Sequence, residues 1–220
     1  MKYFSGKNLL LALSTIIFLF LFFSAARIGA TALLTGYIRT EIDTWAASSV
    51  LPDLPAVENL NRVLGVVRFI SPNNPDNLED QAHLALVYSG LPNISATERA
   101  NQLNNGVAQI KAAIALRPVS SYSWATLLLL KRAQASFDAE FRHALERTVT
   151  LGPWEPDVQP IVADVGLSAW TALPIAEQEM VRENFVRGMK RQADVMIAIA
   201  QSHQQNCNGT QAKPNAGCEK

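Results

Sequence analysis

Five carboxylates, Asp138, Glu140, Glu155, Asp157 and Asp164, are the residues of this chain best suited to bond-breaking chemistry. Two acids placed on opposite sides of a glycosidic bond can divide the work of protonating a leaving group and activating water. Nothing in their spacing selects a pair or implies a pocket, so glycan processing is the minor reading. His83, His143 and His203 are dispersed and form no H-E-x-x-H motif. Neither a Walker-type phosphate loop nor a G-x-S-x-G elbow occurs. The two cysteines, Cys207 and Cys218, are too far apart for a C-x-x-C redox pair. An oxidising compartment would favour a disulfide between them that closes a tail loop, and a reducing one would leave thiols. The expectation is a protein without catalytic residues, metal or cofactor.

The formal net charge is zero. No global basic field therefore points to nucleic acid as a partner. Only 17% of the 220 residues are charged, against roughly 25% in ordinary domains. Part of that deficit lies at the N terminus, where residues 8–26 carry no charge and include an eight-residue run of Ile, Phe and Leu. About 20 apolar residues in a helix cross a bilayer, because the helix pairs its own backbone polar groups. Residues 28–38 extend the apolar stretch past Arg27, whose side chain can snorkel to an interface. Ser24-Ala25-Ala26 also suits a signal-peptide cleavage site, but the further apolar sequence favours a retained anchor. Basic residues flank both sides, so the short N-terminal tail decides orientation. It puts the bulk of the chain outside the cytoplasm, which in a Gram-negative cell is the periplasm.

The remainder reads as helices separated by proline. A short helix at residues 40–48, or a continuation of the anchor, leads to Pro52 and Pro55. Residues 57–70 place Leu60, Leu64 and Val67 at helical spacing. A helix follows Asn77 and runs to about Ser89. Ser95 with Glu98 three residues on forms a capping pattern for a helix ending before Pro118. Ser121 or Ser123 starts the next, whose Trp124, Leu127, Leu128, Leu129 and Leu130 make it apolar around most of its circumference. Such a helix must lie between neighbours. Phe141, Ala144, Leu145 and Thr148 form the buried stripe of another, stopped by Gly152-Pro153. Residues 157–173 and then 175–202 supply two more, with the last the longest.

Pro72, Pro118 and Pro153 are separated by 46 and then 35 residues, and the second interval approaches the ~34-residue tetratricopeptide period. Leu60-Leu64-Val67-Pro72, Gly106-Ile110-Ala113-Pro118 and Phe141-Leu145-Thr148-Pro153 share the same internal offsets. Trp124 and Leu127 match the W-x-x-L opening of such a repeat, while Leu128 and Lys131 replace its usual Gly and Tyr. The expected fold is all-α: an N-terminal transmembrane helix followed by stacked antiparallel helical hairpins of degenerate tetratricopeptide-like type. Residues 1–39 would be the cytoplasmic tail and anchor, 40–205 the helical domain and 206–220 a flexible tail.

Arg117-Pro118, Trp124-Ala125, the run Leu151-Gly152-Pro153-Trp154-Glu155-Pro156, and Gly166-Leu167-Ser168-Ala169-Trp170 together resemble the VpsP family. Members are membrane-anchored, tetratricopeptide-like accessory proteins of bacterial exopolysaccharide systems. The resemblance implies a part in envelope polysaccharide production or export, with polymerisation or export proteins as partners at the inner membrane. It implies no catalytic assignment. Arg117 could satisfy terminal carbonyls or pair with Glu155 across a repeat junction. Trp154 could place a large amphipathic ring beside a helix end as a special surface or fixed junction, with Glu155 near the next N terminus facing its exposed amides. Trp124 and Trp170 could instead form a glycan-contacting platform if exposed, although helical spacing favours core filling for both.

Overall fold

The computed structural model describes residues 6–48 and 51–209, and every regular element among them is helical. The first helix, α1 (Gly6–Ala47), runs without a break through the apolar stretch. Residues 40–47 therefore continue this first helix and form no separate one. The stretch Leu10–Trp45 is long and apolar enough to cross a membrane. At 1.5 Å per residue its 36 residues would measure about 54 Å, well beyond the ~30 Å hydrocarbon layer. The excess is used in packing: Ile38 is fully buried, and Leu34, Ile42 and Trp45 close on the same cluster.

Among the described residues eight further α-helices follow: α2 (Leu54–Ile70), α3 (Pro75–Gly90), α4 (Ala96–Leu116), α5 (Ser121–Ala133), α6 (Ala139–Leu151), α7 (Val158–Ser168), α8 (Ile175–Met189) and α9 (Ala193–Gly209). The pairs α1/α2, α3/α4, α5/α6 and α7/α8 pack closely, and their short connections make them antiparallel. Each pair leans on the next, since α2 contacts α3, α4 contacts α5, and α3 and α7 both contact α5. This is a helical-repeat arrangement of hairpins.

The recurring sequence offsets have a common structural cause. Leu60, Leu64, Val67, Gly106, Ile110, Ala113, Phe141, Leu145 and Thr148 are all buried. In the first three hairpins the third position accepts the capping N–H: Ser71 donates to the Val67 carbonyl, Arg117 to that of Ala113, and Gly152 to that of Thr148. The three caps have similar dihedrals, with φ between -140 and -127° and ψ between 49 and 74°. A proline follows each, its missing N–H costing nothing where the helix has ended. At Gly106 an added Cβ would lie 2.8 Å from Leu130 Cδ2 and 2.9 Å from Ala85 Cβ, so α3, α4 and α5 meet where only glycine fits.

Several boundaries differ from the sequence expectation. Helix α3 begins at Pro75 rather than after Asn77, because proline suits the first helical turn and Asn74 caps it, accepting from Asp76 N at 3.0 Å. Helix α5 starts at Ser121, one of the two expected positions, with Ser120 before it as the cap, accepting from Ser123 N at 3.3 Å. The helix expected over 157–173 stops at Ser168 and gives way to a 3-10 turn at Trp170–Ala172. Leu173 is extended there, as the residue before Pro174 must be. The long helix expected over 175–202 is two helices. Lys190, Arg191 and Gln192 make a turn, with Gln192 N donating to the Gly188 carbonyl at 2.9 Å. Fully buried Met196 then folds back onto Gly188. Helix α9 thereby covers α7 as well as α8. It continues to Gly209, and beyond that the expected tail, with Cys218 and any Cys207–Cys218 bond, lies outside the described residues.

Candidate functional site

The odd-numbered helices form a row with one common direction. Thr35 Oγ1 donates to Asn77 Oδ1 at 3.4 Å, and Arg39 reaches Asp80 at 3.4 Å, so α1 and α3 run parallel. Arg117 pairs with Asp76 at 2.9 Å and Glu79 at 3.0 Å, while Ser123 donates to Glu79 and Thr126 meets His83 at 3.1 Å. Helices α3 and α5 are therefore parallel too. Tyr122 with Glu155 at one end and Arg132 with Asp164 towards the other extend the row to α7.

A polar ladder thus joins α1, α3 and α5. Asp76 is shared by Arg39 at 3.3 Å and Arg117 at 2.9 Å, and Glu79 by Arg117 and Ser123. Asp80 is buried, and its Oδ2 has no partner. Burial pushes the Asp80 carboxyl up to about 6, against the opposing pull of Arg39. Burial also lowers the His83 pKa, despite the nearby carboxylates of Glu79 and Asp43. Such a ladder fixes the relative placement of helices and supplies directional polar contacts. Sequence reasoning missed it, because each of its ion pairs joins residues about forty positions apart.

Of the expected binding residues, Arg117 is engaged within this ladder and not with Glu155. Glu155 instead accepts from the Tyr122 hydroxyl at 3.0 Å, which raises the phenol's pKa. Trp124 is half-buried: its Nε1 donates to the Pro118 carbonyl at 2.9 Å, His143 meets its ring edge-on, and Arg147 lies 5.8 Å from the ring centroid. Trp170 is likewise half-buried, with Arg182 at 5.8 Å over its ring. These two rings seal helix ends, and no ring contact among the described residues unites them with Trp154.

Trp154 differs, being 54% exposed on the α6–α7 turn. That turn is held firmly. Gln159 Nε2 donates to the Pro153 carbonyl at 3.0 Å, Arg191 to that of Trp154 at 2.5 Å, and Gln192 to that of Pro156 at 2.7 Å. The ring is presented on a rigid support, which suits a contact residue because little side-chain or loop entropy remains to be lost on binding.

Asp157 stands exposed at the start of α7 without a capping bond, and the other candidate acids are built into helix ends and hairpins. Asp138 caps α6 through Phe141 N at 2.9 Å, and the bond from buried Lys131 at 2.5 Å holds its carboxyl down to about 2. Lys111 at 2.6 Å and Lys131 at 3.4 Å engage Glu140. Asp164 bridges Arg132 and His203, the latter at 2.8 Å. Among the described residues no group of three or more His, Cys, Asp or Glu could hold a metal. A cavity of about 680 Å³ opens at the far end of the row, lined by Arg99, Leu103, Asn104, Ala133 and Gln134 among others. Its polar side chains are two amides, the Arg99 guanidinium and the Ser136 hydroxyl, a set suited to hydrogen-bonded contact. Comparison with protein-family models, with curated proteins and with solved structures returns no match.

Proposed function

We propose that this protein is a non-catalytic, membrane-tethered scaffold supporting bacterial exopolysaccharide biosynthesis or export through protein–protein contacts. The observation that carries the scaffold reading is the continuity of α1 from the apolar span into the first hairpin, which joins anchor and contact surface in one rigid element. The degenerate tetratricopeptide-like offsets at Pro72, Pro118 and Pro153 support a stacked binding surface. Holding that surface beside a membrane raises its effective concentration toward membrane-bound partners. Polysaccharide polymerisation or export proteins in the inner membrane are those partners, and the helical domain lies in the periplasm. Exposed Trp154 is the first candidate for partner or glycan contact.

The polysaccharide assignment rests on the resemblance carried by residues 117–118, 124–125, 151–156 and 166–170. Crosslinking in intact cells, followed by identification of captured proteins and measurement of polysaccharide yield after gene deletion, tests it. Capture of polymerisation or export components with reduced yield is the expected result. Normal yield with capture of an unrelated envelope complex would move the scaffold to another assembly system. Cleavage or transfer of a defined glycan by the purified protein, abolished by one acid substitution, would replace the scaffold reading altogether.

A further inference from the structure

The row of parallel helices gives the repeat domain a membrane-facing edge. Because α3, α5 and α7 run in the direction of α1, their N termini lie toward the end of α1 that leads into the apolar span. The turns α2–α3, α4–α5 and α6–α7, each built around proline, therefore share that edge.

Depth follows from helix geometry. If the hydrocarbon layer takes about 20 residues from Leu10, it ends near Gly29, and Thr31 to Thr35 then stand roughly 3 to 9 Å further out. That is the headgroup layer. The α2–α3 turn sits at this level, since Ser71 and Asn74 line a cavity of about 470 Å³ together with Arg27, Thr31, Thr35 and Arg39. Just before the turn, α2 exposes Phe69 at 89% and Val66 at 52% on its outer side, and Arg62 and Arg68 are exposed beside them. The α4–α5 turn exposes Val119 at 72%.

The geometry points to a second membrane contact: the α2–α3 and α4–α5 turns rest on the bilayer that α1 crosses, with Phe69 inserted at the boundary between headgroups and acyl chains. A large apolar side chain flanked by arginines suits that boundary, where the ring leaves water while the guanidinium groups remain among lipid phosphates. The occupant is lipid because the same helix that forms the first hairpin fixes this edge at headgroup depth. Successive hairpins rotate away from the first, so contact weakens from Phe69 to Val119 and again to Trp154. This contact fixes the orientation of the repeat surface above the membrane. It rests on the reading that α1 spans the bilayer.

Full-length protein reconstituted in phosphatidylethanolamine–phosphatidylglycerol vesicles, carrying a photoreactive group at the top of one acyl chain, tests both. Labelled residues are located by mass spectrometry. Ile175, 84% exposed at the opposite end of the hairpins, is the internal control. The expected result is labelling of α1 and of residues 66–69, several-fold weaker labelling at Val119, and none at Ile175. Phe69→Asp, a change at a side chain outside the core, should reduce labelling at Val119 several-fold and leave α1 labelling unchanged. Label confined to α1, or equal at Phe69 and Ile175, overturns the docking contact and leaves the anchor standing. An unlabelled α1 overturns both.

Discussion

Arg39 Nε lies 3.4 Å from Asp80 Oδ1, tying the helix that leaves the apolar span to the first inner helix of the next hairpin. The pair is unequal, since Asp80 is buried and Arg39 is half-exposed with Asp76 as a second partner. Burial raises the folded-state pKa of Asp80 from 3.8 to about 6. Between those values the folded chain holds a proton that the unfolded chain has released. Asp80 therefore contributes most to stability in acid, and its contribution declines as pH rises to about 6. His83 has the opposite sign: its lowered pKa gives stability that is present above 6.5 and lost as pH falls. Asp80→Asn should stabilise the helical domain at pH 7 by on the order of 2 kcal/mol and make its loss on acidification steeper. His83→Gln should make it shallower. Thermal melts followed by circular dichroism between pH 4 and 7 measure both, and an unchanged slope in Asp80→Asn refutes the assignment.

The positions that repeat in sequence were legible because hairpin packing demands them. Leu64, Ile110 and Leu145 must face inward four residues after their partners at 60, 106 and 141, and a proline can follow only where the helix has ended. The S-x-x-E pattern at Ser95 was half right: Ser95 accepts from Glu98 N at 3.1 Å, but the Glu98 carboxylate accepts from the Tyr88 hydroxyl at 2.5 Å. The Arg117 partners were illegible for a different reason. Asp76 and Glu79 reach it only once α3 and α5 lie parallel, a relation that local spacing does not encode. The break between α8 and α9 also left little trace, since Lys190-Arg191-Gln192 contains neither proline nor glycine and the turn is imposed by docking on the α6–α7 segment.

At Gly166 helices α7 and α8 meet closely, and an added Cβ would stand 2.5 Å from Val181 Cγ2 and 2.6 Å from Cγ1. Val181 is β-branched and buried, so it has no free rotamer into which to retreat. Gly166→Ala should destabilise the domain by about 1–3 kcal/mol. Gly65 is a matched control in α2, with nothing within 4 Å of its added Cβ. Gly65→Ala should stabilise by up to about 1 kcal/mol through helix propensity. Urea unfolding of the two variants should therefore shift in opposite directions.

Ala135 closes α5 in the left-handed region, with φ 52°. Ser136 N donates to the Lys131 carbonyl at 2.9 Å, so the backbone completes a Schellman-type ending with alanine where glycine is favoured. The Cβ makes this conformation costly by roughly 1 kcal/mol. Ala135→Gly should raise stability by about that amount without altering partner capture. A loss of stability would mean that the methyl group's effect on the unfolded chain outweighs the strain.

Arg191 and Gln192 connect the turn between the last two helices to the α6–α7 turn, through the carbonyls of Trp154 and Pro156. Gln192 also meets Gln159 Oε1 at 3.4 Å, and Asn184 Nδ2 donates to the Gln159 carbonyl at 2.9 Å, so the junction is clamped from both α8 and its following turn. Removing the two donors should cost little in global stability, about 1–2 kcal/mol, because the contacts are largely solvent-exposed. Their effect should be local. In an Arg191→Ala, Gln192→Ala double variant, hydrogen exchange should accelerate at residues 154–159 and in α9 while α3 to α5 remain unchanged. If Trp154 is a contact residue because its turn is rigid, partner crosslinking through that turn should weaken in this variant even though the tryptophan is intact. Retained crosslinking alongside accelerated exchange would show that binding does not depend on the clamp.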